Sequence, residues 1–463
     1  MASEFIFESF FVPGLAHASY LVGANGQAAV IDPKRDVEDY LDAASRHGLK
    51  ILAVLETHPH ADFVSGHVEL AQRTSAKIYV SHCAPASYPR VALHNGESIR
   101  VGALDIAALE TPGHSPDSVS YLARLEGKPE ALFTGDTLFV GDVGRPDLRD
   151  ADQQPRELAE ALYDSLFGKL LALPDDLKVY PAHRAGSLCG RSISQEPFTT
   201  IGQERRFNWA LQIRERSRFV QEMISNLPDR PAYFAHDVQM NLSGAPALNQ
   251  LAEPKPLTQE QLTSAMKQGS TVVIDTRTAL SFGAGHLHGS LNIGINSALF
   301  STWVGFLVPF NTPVSLVVES NDDLKKARLD LARIGYDRLE GYIRADLISD
   351  KVQTSQLSVC DVRSFLQEGD PVQLIDVRTP GEWSSHHIEG AVNIPLPTLP
   401  KRLAELPAGK SLAVICGSGY RSSIACSLLA ARGFRRVQNV MGGMNAFDGT
   451  KCPDWVPADL VFN

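Results

Sequence analysis

Four histidines and two aspartates stand where short apolar runs of the first 200 residues stop. THPHAD places His58, His60 and Asp62 on the turn after ILAVLE, and His114 follows a TPG turn after IAALE. Asp136 closes ALFTGD and His183 closes KVYPAH. Imidazole and carboxylate donors together suit Zn, Fe or Mn. One such histidine would ordinarily be a core or capping residue, but six ligand-forming residues on four strand-ending turns imply a metal site. A second centre lies far downstream, where Cys416 follows the run SLAVI and opens CGSGYRS (416–422). Two glycines let the loop N–H groups turn inward, and a helix starting beyond them adds positive potential at its N-terminus. Both stabilise a thiolate and an anionic persulfide bonded to it. Cys416 is therefore the expected nucleophile and Arg421 a cation for a sulfur oxyanion, with Gly417, Ser418, Gly419 and Tyr420 lining the substrate.

Ligands as distant in sequence as His58 and His183 share a site only if strand ends converge, as they do along one edge of an α/β sheet. The remainder of the chain contains a repeat: IDTRTALSFGAGHLHGSLNI (274–293) aligns with IDVRTPGEWSSHHIEGAVNI (375–394), and LARIGY (331–336) with LAARGF (429–434). Each copy reads as strand, loop, strand, helix, which implies a parallel sheet with helices on its faces. Asp376 and Arg378 read as a structural charge pair. In the first copy Ser320 aligns with Cys416 and is followed by Asn321, Asp322 and Asp323, in a loop two residues shorter. Without a thiol, and with two carboxylates, that copy is expected to be non-catalytic. Upstream, a charged helical stretch over about 202–225 precedes a linker at 243–256. The expected domains are 1–242, 257–349 and 356–463.

Composition narrows the classes of function. The net charge is −10, which argues against a nucleic-acid partner. Hydrophobic residues at 44% and charged residues at 21% suit globular cores rather than disorder. The six cysteines have no framework spacing, so free thiols in a cytoplasmic protein are expected. No Asp, Glu, Lys or Arg lies between Thr278 and Val318, yet prolines and glycines interrupt the stretch, so it is not read as a membrane span. Within it, Leu299, Phe300, Trp303, Phe306 and Leu307 suggest packing against another domain or subunit, hence a homo-oligomer; an enlarged core is the alternative.

The His and Asp pattern resembles the metallo-β-lactamase superfamily over about residues 1–235, with its signature HxHxDH followed by a distant His, Asp and His. Phe63 replaces the last His of that signature, which leaves a second metal position short of nitrogen donors. THPHADFVSGH (57–67), TPGHSPDS (111–118) and GDVGRPDL (141–148) resemble the persulfide dioxygenases of the superfamily. That resemblance implies one Fe(II) per domain, held by His58, His114 and Asp136. His60, Asp62 and His183 then orient the ligands and handle protons. Cys189, six residues after His183, is either a sulfur-accepting thiol or a small buried hydrophobe. Arg145 and Arg191 are candidates for a carboxylate or phosphate on the substrate.

IDVRTPGEW, HIEGAVNIP and the Cys416 loop resemble the rhodanese sulfurtransferases over about 357–456. The implied fold is α/β, an N-terminal αββα metallo-β-lactamase sandwich followed by two rhodanese-like α/β domains with parallel sheets. The order of domains resembles bacterial persulfide dioxygenase–sulfurtransferase fusions of sulfide detoxification. It implies oxidation of a small-molecule thiol persulfide by O2 to sulfite, with thiosulfate made or used at Cys416. The alternative is a thioester hydrolase of the glyoxalase II kind, with zinc in place of iron and an accessory sulfurtransferase domain.

Overall fold

Along the strand His17–Ala24 every residue is buried, because the strand is covered on both faces. Side chains alternate across it. Tyr20 and Val22 enter one core with Ile31, Leu55, Ile106, Tyr121 and Phe133, while Leu21 enters another with Val30, Tyr40, Val54 and Leu70. In this computed structural model, residues 4–148, 155–225, 227, 230–368, 372–407 and 409–450 are described. They fall into two compact units, Met1–Leu251 with Leu329–Asp337, and Ala252–Arg328 with Arg338–Asn463.

The first unit contains two six-stranded sheets. One runs Ile6–Val12, His17–Ala24, Gln27–Ile31, Lys50–Leu55, Lys77–Ser81, Val91–Leu93. The other runs Thr199–Thr200, Lys178–Pro181, Lys128–Gly135, Val119–Leu125, Leu104–Glu110, Ser98–Val101. The Tyr20 core fills the space between them. Helices Glu38–Arg46 and His67–Thr74 cover the outer face of the first sheet through Tyr40, Ala43 and Leu70. Helices Pro155–Gly168 and Arg216–Ile224 cover the second through Leu162, Leu166 and Phe219. This is the αββα sandwich expected from the sequence. The single helix expected over 202–225 is instead two, Ile201–Phe207 and Arg216–Ile224. Asn208 leaves helical geometry, and its side-chain amide donates to Asp142 O and Glu204 Oε2.

The second unit repeats one topology. Strands Lys255–Pro256, Leu339–Arg344, Val314–Val318, Val272–Asp275 and Leu291–Asn292 lie in that order, and Ser355–Leu357, Val437–Val440, Ser411–Ile415, Val372–Asp376 and Val392–Asn393 repeat it, with all pairings parallel. The Asp376–Arg378 pair has its counterpart in Asp275–Arg277, each guanidinium bound to its carboxylate through Nε and Nη2. Ser320 does not mimic Cys416. Its hydroxyl donates to Asp323 Oδ2 at 2.7 Å and accepts from Asp323 N, capping the helix Asn321–Arg333. The apolar stretch forms the helix Phe300–Leu307, with Phe300, Trp303 and Val304 buried and Leu299 exposed. Phe306 and Leu307 are half-buried. Cys83, Cys189, Cys416 and Cys426 are free thiols; Cys360, against expectation, is disulfide-bonded, and Cys452 lies outside the described residues. No helix among the described residues is long and apolar enough to cross a membrane.

Candidate metal centre and cysteine loop

Parallel pairing brings the metal-ligand types together. Gln27–Ile31 runs parallel to Lys50–Leu55, and Lys128–Gly135 to Lys178–Pro181, so Asp32, the 56–62 turn, Asp136 and His183 emerge at strand C-terminal ends. His58, His114 and Asp136 are buried, and one donor atom from each lies within 4.8 Å of the others. Asp136 Oδ2 is 3.8 Å from His58 Nε2 and 3.5 Å from His114 Nε2, while its Oδ1 bonds His183 Nδ1 at 2.8 Å. Close approach is required here: a Cβ on Gly144 would lie 1.9 Å from the Asp136 carbonyl oxygen and 3.0 Å from the His114 ring.

A second trio adjoins the first. Asp62, His183 and Cys189 are buried with donor atoms likewise within 4.8 Å of one another, and His183 Nε2 is 3.0 Å from Asp62 Oδ2. Cys189 is a sulfur donor beside the position where Phe63 removes a nitrogen, and the Phe63 ring packs 3.9 Å from that of His17. Burial pushes the Cys189 thiol well up, with Asp62 and Asp136 adding to it. That is the reverse of what an attacking thiolate needs. Burial opposes charge on Asp136, yet His183, His114 and His58 hold it well below the usual carboxylate range. Burial lowers His58 and His114, with Asp136 opposing the shift in both.

Tautomers follow from partners. Thr57 Oγ1 donates to Asp32 Oδ2 at 2.8 Å and lies 3.0 Å from His58 Nδ1. With its proton committed to Asp32, the hydroxyl accepts from His58 Nδ1–H and leaves the Nε2 lone pair facing Asp136. His60 turns Nε2 to Asp32 Oδ1 at 3.2 Å and belongs to a third buried group with Asp32 and Glu56. Sequence reasoning missed Asp32, although it too ends an apolar run, AAVID.

Neither arginine assigned to substrate binding is available. Arg145 is 1% exposed, with Nε and Nη2 on Asp147 at 2.8 and 2.7 Å. Arg191 Nη2 donates to the carbonyls of Glu222, Met223 and Ser225, closing the end of the Arg216–Ile224 helix. Arg145→Ala is expected to cost about 2–3 kcal/mol of stability by leaving Asp147 unpaired, with KM unchanged, measured by denaturant unfolding beside kinetics.

In the second unit Cys416 is fully buried, and its Sγ accepts from Gly419 N at 3.1 Å with Ser422 Oγ at 3.4 Å. Gly443 must lack a side chain, since its Cβ would lie 2.2 Å from Cys416 O. Ser418 and Tyr420 flank Gly419, whose φ of 95° lets the loop turn into the helix Tyr420–Ala431. Gly417 lies beneath Arg421 Nη2. Arg421 is not a free cation: Nη1 and Nη2 bond Glu382 at 2.8 and 2.6 Å. Glu382 was missed too, although the Thr379–Glu382 spacing marks a capping box. Burial opposes its charge, but the Arg421 bonds hold it down to about 2. A depressed carboxylate stabilises the fold above its unfolded value and ceases to do so as pH falls through the folded one. The stability difference between Glu382→Gln and the parent is therefore expected to be the same at pH 7 and pH 5.5, shrinking only towards pH 2, in denaturant unfolding.

Residues 12–183 match the metallo-β-lactamase superfamily, and 358–450 a rhodanese-like domain. The cytoplasmic hydroxyacylglutathione hydrolase of Arabidopsis thaliana is 36% identical over 180 residues, 38% of this chain and 66% of that protein. Bacterial hydroxyacylglutathione hydrolases match similarly, and the chain spans less than two thirds of their length. Among solved structures, a metallo-beta-lactamase from Staphylococcus aureus subsp. aureus COL has a TM-score of 0.66 and 31% identity, covering 74% of this chain and 99% of that one. ETHE1 from Myxococcus xanthus has 33% identity, covering 51% of this chain and 98% of that one, with a TM-score of 0.45.

The recurrent similarity to hydroxyacylglutathione hydrolases overturns the expectation of iron-dependent persulfide oxidation and favours the hydrolase alternative. With a buried metal-ligand cluster at one end and a rhodanese-like domain at the other, the chain belongs to the metallo-β-lactamase superfamily.

Proposed function

We propose that the first unit is a zinc-dependent hydrolase of a glutathione-type thioester and that the second transfers sulfane sulfur at Cys416. The observation that carries the first reading is the pair of adjoining donor trios, His58/His114/Asp136 and Asp62/His183/Cys189. Atoms left without hydrogen-bond partners support a cation there: His58 Nε2, Asp136 Oδ2 and Asp62 Oδ1 are all buried and unbonded. Such atoms are costly unless something meets them. Zinc in this position supplies Lewis acidity to a carbonyl oxygen and makes water nucleophilic at neutral pH.

The chain's own residues position that chemistry. Thr57 and Asp32 fix the His58 ring, and Asp136 fixes His183 through Nδ1. Asp62 beside His183 Nε2 holds a carboxylate where a proton from water can be received. The balanced reaction is thioester plus water giving carboxylate, thiol and a proton. Metal analysis tests the donor assignment: about two zinc ions per chain are expected, falling to about one in Cys189→Ala. An unchanged zinc content in that variant would remove Cys189 from the site.

For the second unit, the Gly419 N–H on Cys416 Sγ and the helix starting at Tyr420 favour negative charge on sulfur. Thiosulfate is the proposed donor: Cys416 thiolate takes its outer sulfur, and sulfite leaves with the electron pair of the broken S–S bond.

A further inference from the structure

A cavity of about 340 Å³ in the second unit is built from both rhodanese-like copies. Thr278, Leu280 and Asn296 of the non-catalytic copy face Gly419, Tyr420 and Asn439 of the catalytic one. Its walls are held in place. Tyr420 OH donates to Gly294 O at 3.3 Å, Ser423 Oγ to Asn292 Oδ1 at 2.6 Å, and Asn292 N to Ser427 Oγ at 2.9 Å.

Three features define an occupant. Among the described residues no Asp, Glu, Lys, Arg or His lines the cavity, so a charged group entering it would lose water without gaining a partner. Asn439 is 1% exposed and donates Nδ2 to Gln356 Oε1 at 2.8 Å, while its Oδ1 has no partner. A buried acceptor without a partner, on a residue of the cavity wall, calls for an N–H or O–H donor. Leu280, 61% exposed, offers an apolar rim. Gly419 connects the cavity to the chemistry, since it lines the wall and its N–H bonds Cys416 Sγ.

We infer that this cavity binds the sulfur acceptor of the Cys416 reaction, a thiol carried on an uncharged, amide-bearing arm of the pantetheine type. The inference rests on the sulfurtransferase reading and gives the non-catalytic copy a role as half of the acceptor site. The step balances: the acceptor thiolate attacks the outer sulfur of the Cys416 persulfide, a new S–S bond forms, and the old bond's electron pair leaves on Cys416 as thiolate. Glutathione, with two carboxylates and an ammonium, suits these walls poorly.

The experiment uses the full chain with thiosulfate as donor and compares pantetheine, glutathione and cyanide as acceptors. Pantetheine is expected to have a KM at least about tenfold below that of glutathione. Asn296→Trp, a substitution at an exposed wall position, is expected to raise the pantetheine KM about tenfold, a larger factor than any change in the cyanide KM. Asn439→Leu, which removes the open acceptor, is expected to act in the same direction. Equal KM values for pantetheine and glutathione, or an Asn296→Trp variant that treats pantetheine as the parent does, would overturn the inference. Absence of any Cys416-dependent transfer to cyanide would overturn the sulfurtransferase reading itself, and the inference with it.

Discussion

Cys416→Ser is expected to reduce sulfur transfer from thiosulfate to cyanide by about 10³-fold or more while thioester hydrolysis stays at the parental rate. The size of the loss follows from the chemistry: the hydroxyl that replaces the thiol forms no persulfide, and no other free thiol takes its place in the loop. Cys426 lies on the following helix, and burial raises its thiol well above the ordinary range. The variant should fold, because serine is close in size and Gly419 N and Ser422 Oγ can bond its oxygen as they meet sulfur now. Steady-state assays of both reactions on one preparation check this. Residual transfer near the parental rate would place the sulfur-accepting thiol elsewhere.

The converse holds for the metal centre. His114→Ala is expected to lower hydrolysis by at least about 10²-fold together with zinc content, and to leave transfer at Cys416 unchanged. His114 contributes an imidazole to a trio whose other members are His58 and Asp136, and its removal leaves two donors where a closed site needs more. The gap is buried, so water does not simply restore the lost ligand with equal affinity. Zinc analysis beside kinetics separates loss of metal from loss of fold, since an unfolded chain would lose both activities.

Much of this centre could be read from sequence, because strand ends are local signals. The ligand types of THPHAD, TPGH, TGD and PAH each follow an apolar run, and parallel pairing does the rest. The two-copy architecture was equally legible, down to the Asp376–Arg378 pair, because both partners lie within one loop. What escaped depends on long-range contacts. Cys189 reaches Asp62 because Arg145 N bonds Cys189 O and Asp142 Oδ2 accepts from Arg191 N and Ser192 N, none of which spacing reveals. Arg145 and Arg191 were misassigned for the same reason: a guanidinium looks alike in sequence whether it awaits a substrate or closes a helix end. The reaction was misread because His and Asp donors serve zinc and iron alike, so the ligand set does not select the chemistry.

The most direct measurement is hydrolysis of a hydroxyacylglutathione thioester by the zinc-loaded full chain, followed by loss of thioester and release of free thiol. Hydrolysis that requires metal, disappears in His114→Ala and persists in Cys416→Ser is the predicted result. An intact thioester in the presence of protein shown to hold zinc at the His58/His114/Asp136 site, or a chain that carries iron alone and does not cleave thioesters, would contradict the account.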